Sequence, residues 1–252
     1  AASGDILFLL NNDTIVDPDC IARAIAFFAS HPDAGWLACQ LRLMQHPDVL
    51  DGAGDVYTVA GFPRARGKYA PAAAFDEPAT VFSSCGAGVF LRRAVLDDVG
   101  LFDETYTSYQ EDVDWGFRAN LRGHTCHYRP ECRVLHRMSA STGVMSPYIA
   151  FHTSRNIHAT WLKNMPLPLL LLTAPLHAAM TALQGVWYLR GGRFREFLRG
   201  KLAFLRRIPS ILSARAEVQR GRRIGAMELA RRMDWRWFRT LIIERMGIRP
   251  PQ

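Results

Sequence analysis

The chain has five cysteines, Cys20, Cys39, Cys85, Cys126 and Cys132, and none is spaced from another as C-x-x-C. An odd, scattered set of thiols argues against a disulfide framework and a cysteine zinc cage, and points to a reducing compartment. A basic stretch ahead of the first apolar run is also missing. Asp5 precedes Ile6, so the start reads as the middle of a domain rather than as a signal peptide. Acid is scarce at the other end: residues 190–252 hold 17 Lys and Arg against 5 Asp and Glu, while residues 1–189 hold 14 against 18. The net charge of +8 therefore belongs to the tail, and a basic tail seeks phosphate groups.

Formal charge is wholly absent from the 26 residues between Lys163 and Arg190, "NMPLPLLLLTAPLHAAMTALQGVWYL". That length could cross a bilayer. Pro166, Pro168, Pro175, His177 and Gln184 weaken a spanning helix, and one crossing would separate the body from the basic tail. The expectation is an in-plane or re-entrant helix, followed by arginine-rich amphipathic helices on an anionic membrane surface. In "FREFLRGKLAFLRRIPSIL" the residues Phe194, Phe197, Leu198, Leu202 and Leu205 form an apolar stripe without a nucleic-acid recognition motif, so nucleic acid is not an expected partner.

What is present suffices for a folded body, with 49% hydrophobic and 21% charged residues. Ile6–Leu10 is a continuous apolar run, as in a parallel strand buried on both faces. Asp17-Pro18 reads as a helix start, and Ile21, Ile25 and Phe28 repeat at helical spacing. Leu37, Cys39, Leu41 and Leu43 alternate as in a strand. Residues 45–78 read as a long functional loop, and Thr80–Leu91 as a strand broken by Gly86 and Gly88. A short helix over Ala94–Val99, a helix ending at Gly123, a strand over Arg133–His136 and a helix from Pro147 to Lys163 follow. Strands alternating with helices indicate an α/β fold with a mostly parallel sheet. The domain expectation is a body over residues 1–163 and an apolar, then basic, helical region over 164–252.

Three clusters could carry chemistry. Asp13 follows the first strand in "ILFLLNNDT", at the carboxyl end where open α/β sheets place ligands. Magnesium or manganese could take one such carboxylate together with substrate phosphates, although the same letters suit a plain Asn-Asn-Asp turn. Asn11 stands where a D-x-D-x-T phosphatase needs its nucleophile, and the glycine and final glutamate of a calcium loop are missing. In "YQEDVDWGFRANLRGH", Glu111, Asp112 and Asp114 open a helix, where the macrodipole favours negative charge. Capping accounts for one or two of them, and three beside Trp115 suggest a carboxylate tuned as a general base. His136 ends a strand before the "SASTG" loop at 139–143, as a metal ligand or as a structural histidine.

Taken in order, these stretches resemble the inverting family 2 glycosyltransferases with the GT-A fold, most closely their bacterial rhamnosyltransferase-like branch. "GDILFLLNNDT", "SSCGAGVFLRRAVLDDVGLFDETYTSYQEDVDWGFRANLRGH", "VLHRMSAST" and "SRNIHATWLKN" carry the resemblance, over about residues 4–164. It implies that Asp13 holds a divalent ion, Mg2+ or Mn2+, at the donor diphosphate, with His136 as a further contact. Asn11, Asn12, Arg155 and Asn156 would serve the nucleotide-sugar donor. Asp112 would be the general base with Glu111 beside the acceptor, and Gly86, Ala87, Gly88 and Trp115 would line the sugar and acceptor pocket. The implied activity is inverting transfer, from a donor such as dTDP-rhamnose, to a lipid-linked or cell-envelope glycan at the cytoplasmic face of a bacterial inner membrane. The family also implies earlier strands and a base-reading aspartate, supplied here by a missing N-terminal segment or a partner chain. The alternative is a truncated, non-catalytic membrane-binding or scaffold module.

Overall fold

The computed structural model describes residues 2–137 and 146–236; the expected loop at 139–143 and the end of the basic tail lie outside the described residues. Strands β1 (Ile6–Leu10) and β2 (Thr14–Val16) lead into helix α1 (Cys20–Ser30), and β3 (Trp36–Leu43) follows. An excursion then forms β4 (His46–Gly52), β5 (Asp55–Tyr57), β6 (Pro63–Ala65) and β7 (Ala79–Val81) before β8 (Gly88–Arg92). Helices α2 (Arg93–Val99) and α3 (Glu111–Leu121) precede β9 (Cys126–His136). Helices α4 (Pro147–Asn164), α5 (Leu167–Arg190), α6 (Phe194–Arg206), α7 (Ile208–Arg220) and α8 (Ala226–Arg232) complete the described chain.

The main sheet runs β1-β8-β3-β9-β2, with β4 added to β3 and β7 to β9; β5 and β6 form a separate ribbon. Alternation along β3 sets the layers. Trp36 and Ala38 pack with Val95, Val99, Trp115 and Ala119 of α2 and α3 on one face. Leu37, Cys39 and Leu41 pack with Cys20, Ala24, Phe27 and Phe28 of α1 on the other. Each large apolar side chain buried this way contributes about 1.5–3 kcal/mol. A third cluster joins Tyr57, Phe82 and Phe117 to Met165, Leu169, Leu229 and Met233, so α5 and α8 close the core of the body.

The mixed α/β architecture, a sheet flanked by helices, is as expected, but the strand directions differ from a mostly parallel sheet. Among the described residues only β3 and β9 pair in parallel, while β8 runs antiparallel to both β1 and β3. The reason is the long excursion, which returns the chain through the middle of the sheet in the opposite sense. β1 is a half-buried edge strand and not one buried on both faces, because β8 is its one neighbour among the described residues. The 45–78 stretch carries strands of its own, and Thr80–Leu91 divides into β7 and β8 on different neighbours. α1 begins at Cys20, with Asp17 accepting from the Asp19 amide at 3.3 Å instead of capping the helix proper.

Candidate active site

Several backbone segments meet at a cavity of about 640 Å3. Asn11 and Asp13 come from the carboxyl end of β1, Asp51 from β4, Asp55 from β5, and His136 from the carboxyl end of β9. Segments 84–87 and 108–113 form the remaining wall, with Arg64 and Lys68 bringing positive charge. Ligands gather at such strand ends because the connections there are free of packing duties.

At one side, the Asn11 carbonyl accepts from Thr14 Oγ1 at 2.6 Å, and the Asp13 carbonyl accepts from the Arg137 amide at 2.9 Å. The turn is thereby closed through backbone oxygens, which leaves the Asp13 carboxylate aimed at the cavity. His136 stands between two acids: Nδ1 is 2.7 Å from Asp51 Oδ2 and Nε2 is 3.4 Å from Asp13 Oδ1. Lys68 pairs with the same Asp51. Burial pulls the imidazole pKa down, but the hydrogen bond and charge of Asp51, with Asp13 behind it, leave it raised. With Nδ1–H donated to Asp51, Nε2 and Asp13 Oδ1 confront each other as two acceptors, so a proton or a cation belongs between them. Among the described residues no group of three or more His, Cys, Asp or Glu side chains forms a ready-made ion site. Two protein donors plus phosphate oxygens and water would nevertheless suit Mg2+ or Mn2+, and the nitrogen donor favours Mn2+.

At the other side, Asp112 is half-buried in the cavity wall. Its Oδ2 accepts from the Gly86 amide at 3.0 Å and its Oδ1 from the Val113 amide at 2.8 Å. Burial raises its pKa against the lowering effect of these donors and of the Cys85 thiol. Asp55, buried beside Ser83 Oγ at 3.4 Å, is pushed up to about 8 by burial and then by the charge of Asp112. Glu111 is likewise raised by burial and by Asp112. Glu111 Oε2 and Gln110 Oε1 are buried acceptors without a hydrogen-bond partner among the described residues. Orphaned acceptors on a cavity wall are suited to a ligand that donates hydroxyls. Thr107, Tyr109 and Gln110 all have positive φ, so this turn holds strain of the kind that surrounding structure must maintain.

The structure brings Asn11, Asp13, Gly86, Ala87, Glu111, Asp112 and His136 together on one cavity. Five other expected residues stand elsewhere. Trp115 is in the core against Trp36, with its indole N–H on the Gly100 carbonyl at 2.9 Å, so it cannot line the pocket. Gly88 sits within β8, where a Cβ would come within 3.0 Å of Leu41, and Asn12 is exposed beside the turn. Asn156 is fully buried and donates to the carbonyls of Tyr106, Ser108 and Tyr109 at 2.8–3.1 Å. Arg155 donates to the Thr105 and Tyr106 carbonyls. This pair clamps the strained turn from behind, and neither side chain lines the cavity. Asp114 also leaves the acidic cluster: it is buried among Tyr106, Arg118, Lys163 and Asn164.

Asp51, Asp55, Arg64 and Lys68 escape a reading of the sequence alone, because all four lie within the 45–78 stretch that reads as a loop. The one signal was "DGAGD" at 51–55, two carboxylates flanking small residues.

The sequence profile described as "Glycosyl transferase family group 2" matches residues 6–204. The chain is similar to the O-antigen biosynthesis protein RfbC of Myxococcus xanthus, 30% identical over 151 residues, covering 56% of this chain and 11% of that protein. It is similar to an N-acetylglucosaminyl-diphospho-decaprenol L-rhamnosyltransferase of Mycobacterium tuberculosis, 39% identical over 83 residues, covering 30% of this chain and 27% of that protein. Among solved structures it is similar to the mannosyltransferase PcManGT from Pyrobaculum calidifontis in complex with GDP-Man and Mn2+. That match has 13% identity and a TM-score of 0.43, and covers 86% of this chain and 63% of that one.

Proposed function

The chain belongs to glycosyl transferase family group 2, and from that membership we propose that it transfers a sugar from a nucleotide-diphosphate donor to an acceptor hydroxyl, with inversion and with Asp112 as general base. One observation carries the reading: a half-buried carboxylate of raised pKa and a carboxylate–histidine pair share one cavity. Asp112 takes the proton of the acceptor hydroxyl, the acceptor oxygen bonds to the anomeric carbon, and the bond to the diphosphate oxygen breaks with its electrons leaving on the diphosphate. A single displacement needs this one base and no covalent intermediate. Asp13 and His136 would hold a divalent ion, whose charge offsets that of the departing diphosphate. The lone acceptors of Gln110 and Glu111 would receive hydroxyls of a glycan acceptor, while Arg64 and Lys68 attract the donor phosphates. A rhamnosyl donor and a lipid-diphosphate or cell-envelope acceptor are the specific version, supported by what the mycobacterial and myxococcal relatives are named for.

Release of nucleoside diphosphate from dTDP-rhamnose, UDP-sugars and GDP-mannose, with and without Mn2+, tests this reading. Asp112→Asn is expected to lower turnover by roughly a thousandfold. Its donor-induced thermal shift is expected to persist. Asp13→Ala is expected to abolish the Mn2+ dependence. Full turnover by Asp112→Asn, or an unchanged Mn2+ titration of Asp13→Ala, would remove the corresponding role. Absence of any donor-induced shift in the parent chain would favour the non-catalytic module instead.

A further inference from the structure

Helix α5 has no charged side chain before Arg190, yet it lies on the outside of the molecule. Its inner face holds Leu169, Thr173, His177, Met180, Gln184 and Tyr188 against the body. Its outer face is Leu, Ala, Pro, Val and Trp187, with Leu171 66%, Leu172 68% and Leu183 57% exposed. An ordinary surface helix carries charge on that face. A continuous apolar stripe of about 36 Å, the length of 24 helical residues, marks an interaction surface.

The helix is held along the body and cannot leave it to cross a bilayer without breaking these contacts. Near its start Leu169 is buried with Met165 and Leu229. At its middle His177 contacts the Ala60 carbonyl at 2.8 Å and stacks on Trp161 at 4.0 Å. At its end Gly185 meets Phe197 of α6. α6 in turn lies so close to α4 that a Cβ at Gly200 would come within 2.6 Å of the Phe151 carbonyl. The exposed face of α6 continues the theme, with Leu198, Leu202 and Leu205 interleaved with Arg195, Arg199 and Arg206.

We propose that the outer faces of α5 and α6 form a docking surface for an anionic lipid bilayer, with α5 lying in the interfacial plane. Charge complementarity selects this occupant. Leucines enter the acyl boundary while the arginines between them meet lipid phosphates. A second copy of the chain would bring the same arginines face to face across a two-fold contact. The surface is built on α4, the helix whose Arg155 and Asn156 clamp the turn at the cavity wall, so docking there holds the cavity close to lipid-borne acceptors. The proposal does not depend on the metal or base roles given above.

The full chain is sedimented with phosphatidylcholine vesicles, and with vesicles in which about one third of the lipid is phosphatidylglycerol. Binding to the anionic vesicles that weakens with salt is expected. Leu171→Glu/Leu183→Glu is expected to reduce it by at least about tenfold. Arg195→Glu/Arg199→Glu is expected to remove the preference for phosphatidylglycerol. All four positions are exposed, and unchanged thermal unfolding verifies that the variants fold. Parent chain left in the supernatant, sedimentation indifferent to phosphatidylglycerol, or undiminished binding by the leucine variant overturns the proposal. So does a dimer, seen by light scattering, that the leucine variant splits in the absence of any vesicle binding.

Discussion

Asp55 is buried and Asp112 half-buried, both are raised in pKa, and the charge of Asp112 acts on Asp55. Asp55, pushed up to about 8, holds its proton at neutral pH beside the Asp112 carboxylate. A general base must be ionised to act, so transfer should rise with pH through a value above the ordinary carboxylate range. Asp55→Asn keeps a neutral group beside Asp112 and should leave the acidic limb of kcat/KM nearly in place. A limb that moves down would show that Asp55 is charged while Asp112 titrates. Asp112 was legible in the sequence because three acids opened one helix. Asp55 was not, since its importance lies in a contact with a residue more than fifty positions away. Asp51 was hidden for the same reason, becoming significant only through His136.

At the scale of elements, the strands that pack on both faces were the readable ones. β3 was legible because Leu37, Cys39, Leu41 and Leu43 alternate, and the structure uses that alternation to hold α1 on one face of the sheet and α2 and α3 on the other. The excursion between β3 and β8 was opaque, because its strands are short and rich in Gly, Pro and Asp, residues that locally favour turns. α4 is visible in the sequence as a helix, but the family resemblance assigns its Arg155 and Asn156 to the donor. The structure makes Asn156 a fastener instead, with one amide bonded to three carbonyls of the strained turn. Asn156→Ala should cost about 2 kcal/mol from the stranded buried carbonyls. It should also raise KM for the acceptor while leaving donor affinity nearly unchanged, as steady-state kinetics and denaturant unfolding would show. Equal loss of donor and acceptor affinity would contradict a clamp confined to the acceptor wall.

Across the whole molecule, the helices after residue 163 are joined to the sheet layer by a buried ionic knot. Lys163 Nζ lies 2.7 Å from both Asp103 Oδ2 and Asp114 Oδ1, and Asp114 also accepts from Tyr106 and Asn164. Gln219 of α7 donates to the Asn164 carbonyl at 2.7 Å, extending the connection to the basic helices. Asp103 is raised by burial but drawn further down, to about 2, by Lys163 and Thr105. A carboxyl depressed in the folded state stabilises it above the unfolded pKa of about 3.9, and that contribution fades as pH falls towards 2. The shift corresponds to roughly 2 kcal/mol. Urea unfolding followed from pH 5 to about pH 2 should therefore show the parent chain losing this amount relative to Asp103→Asn, whose curve lacks the step. Parallel curves would mean that Lys163 is held by Asp114 alone. A converging pair would show that the same charges that position α4 behind the cavity also set the acid limit of the fold.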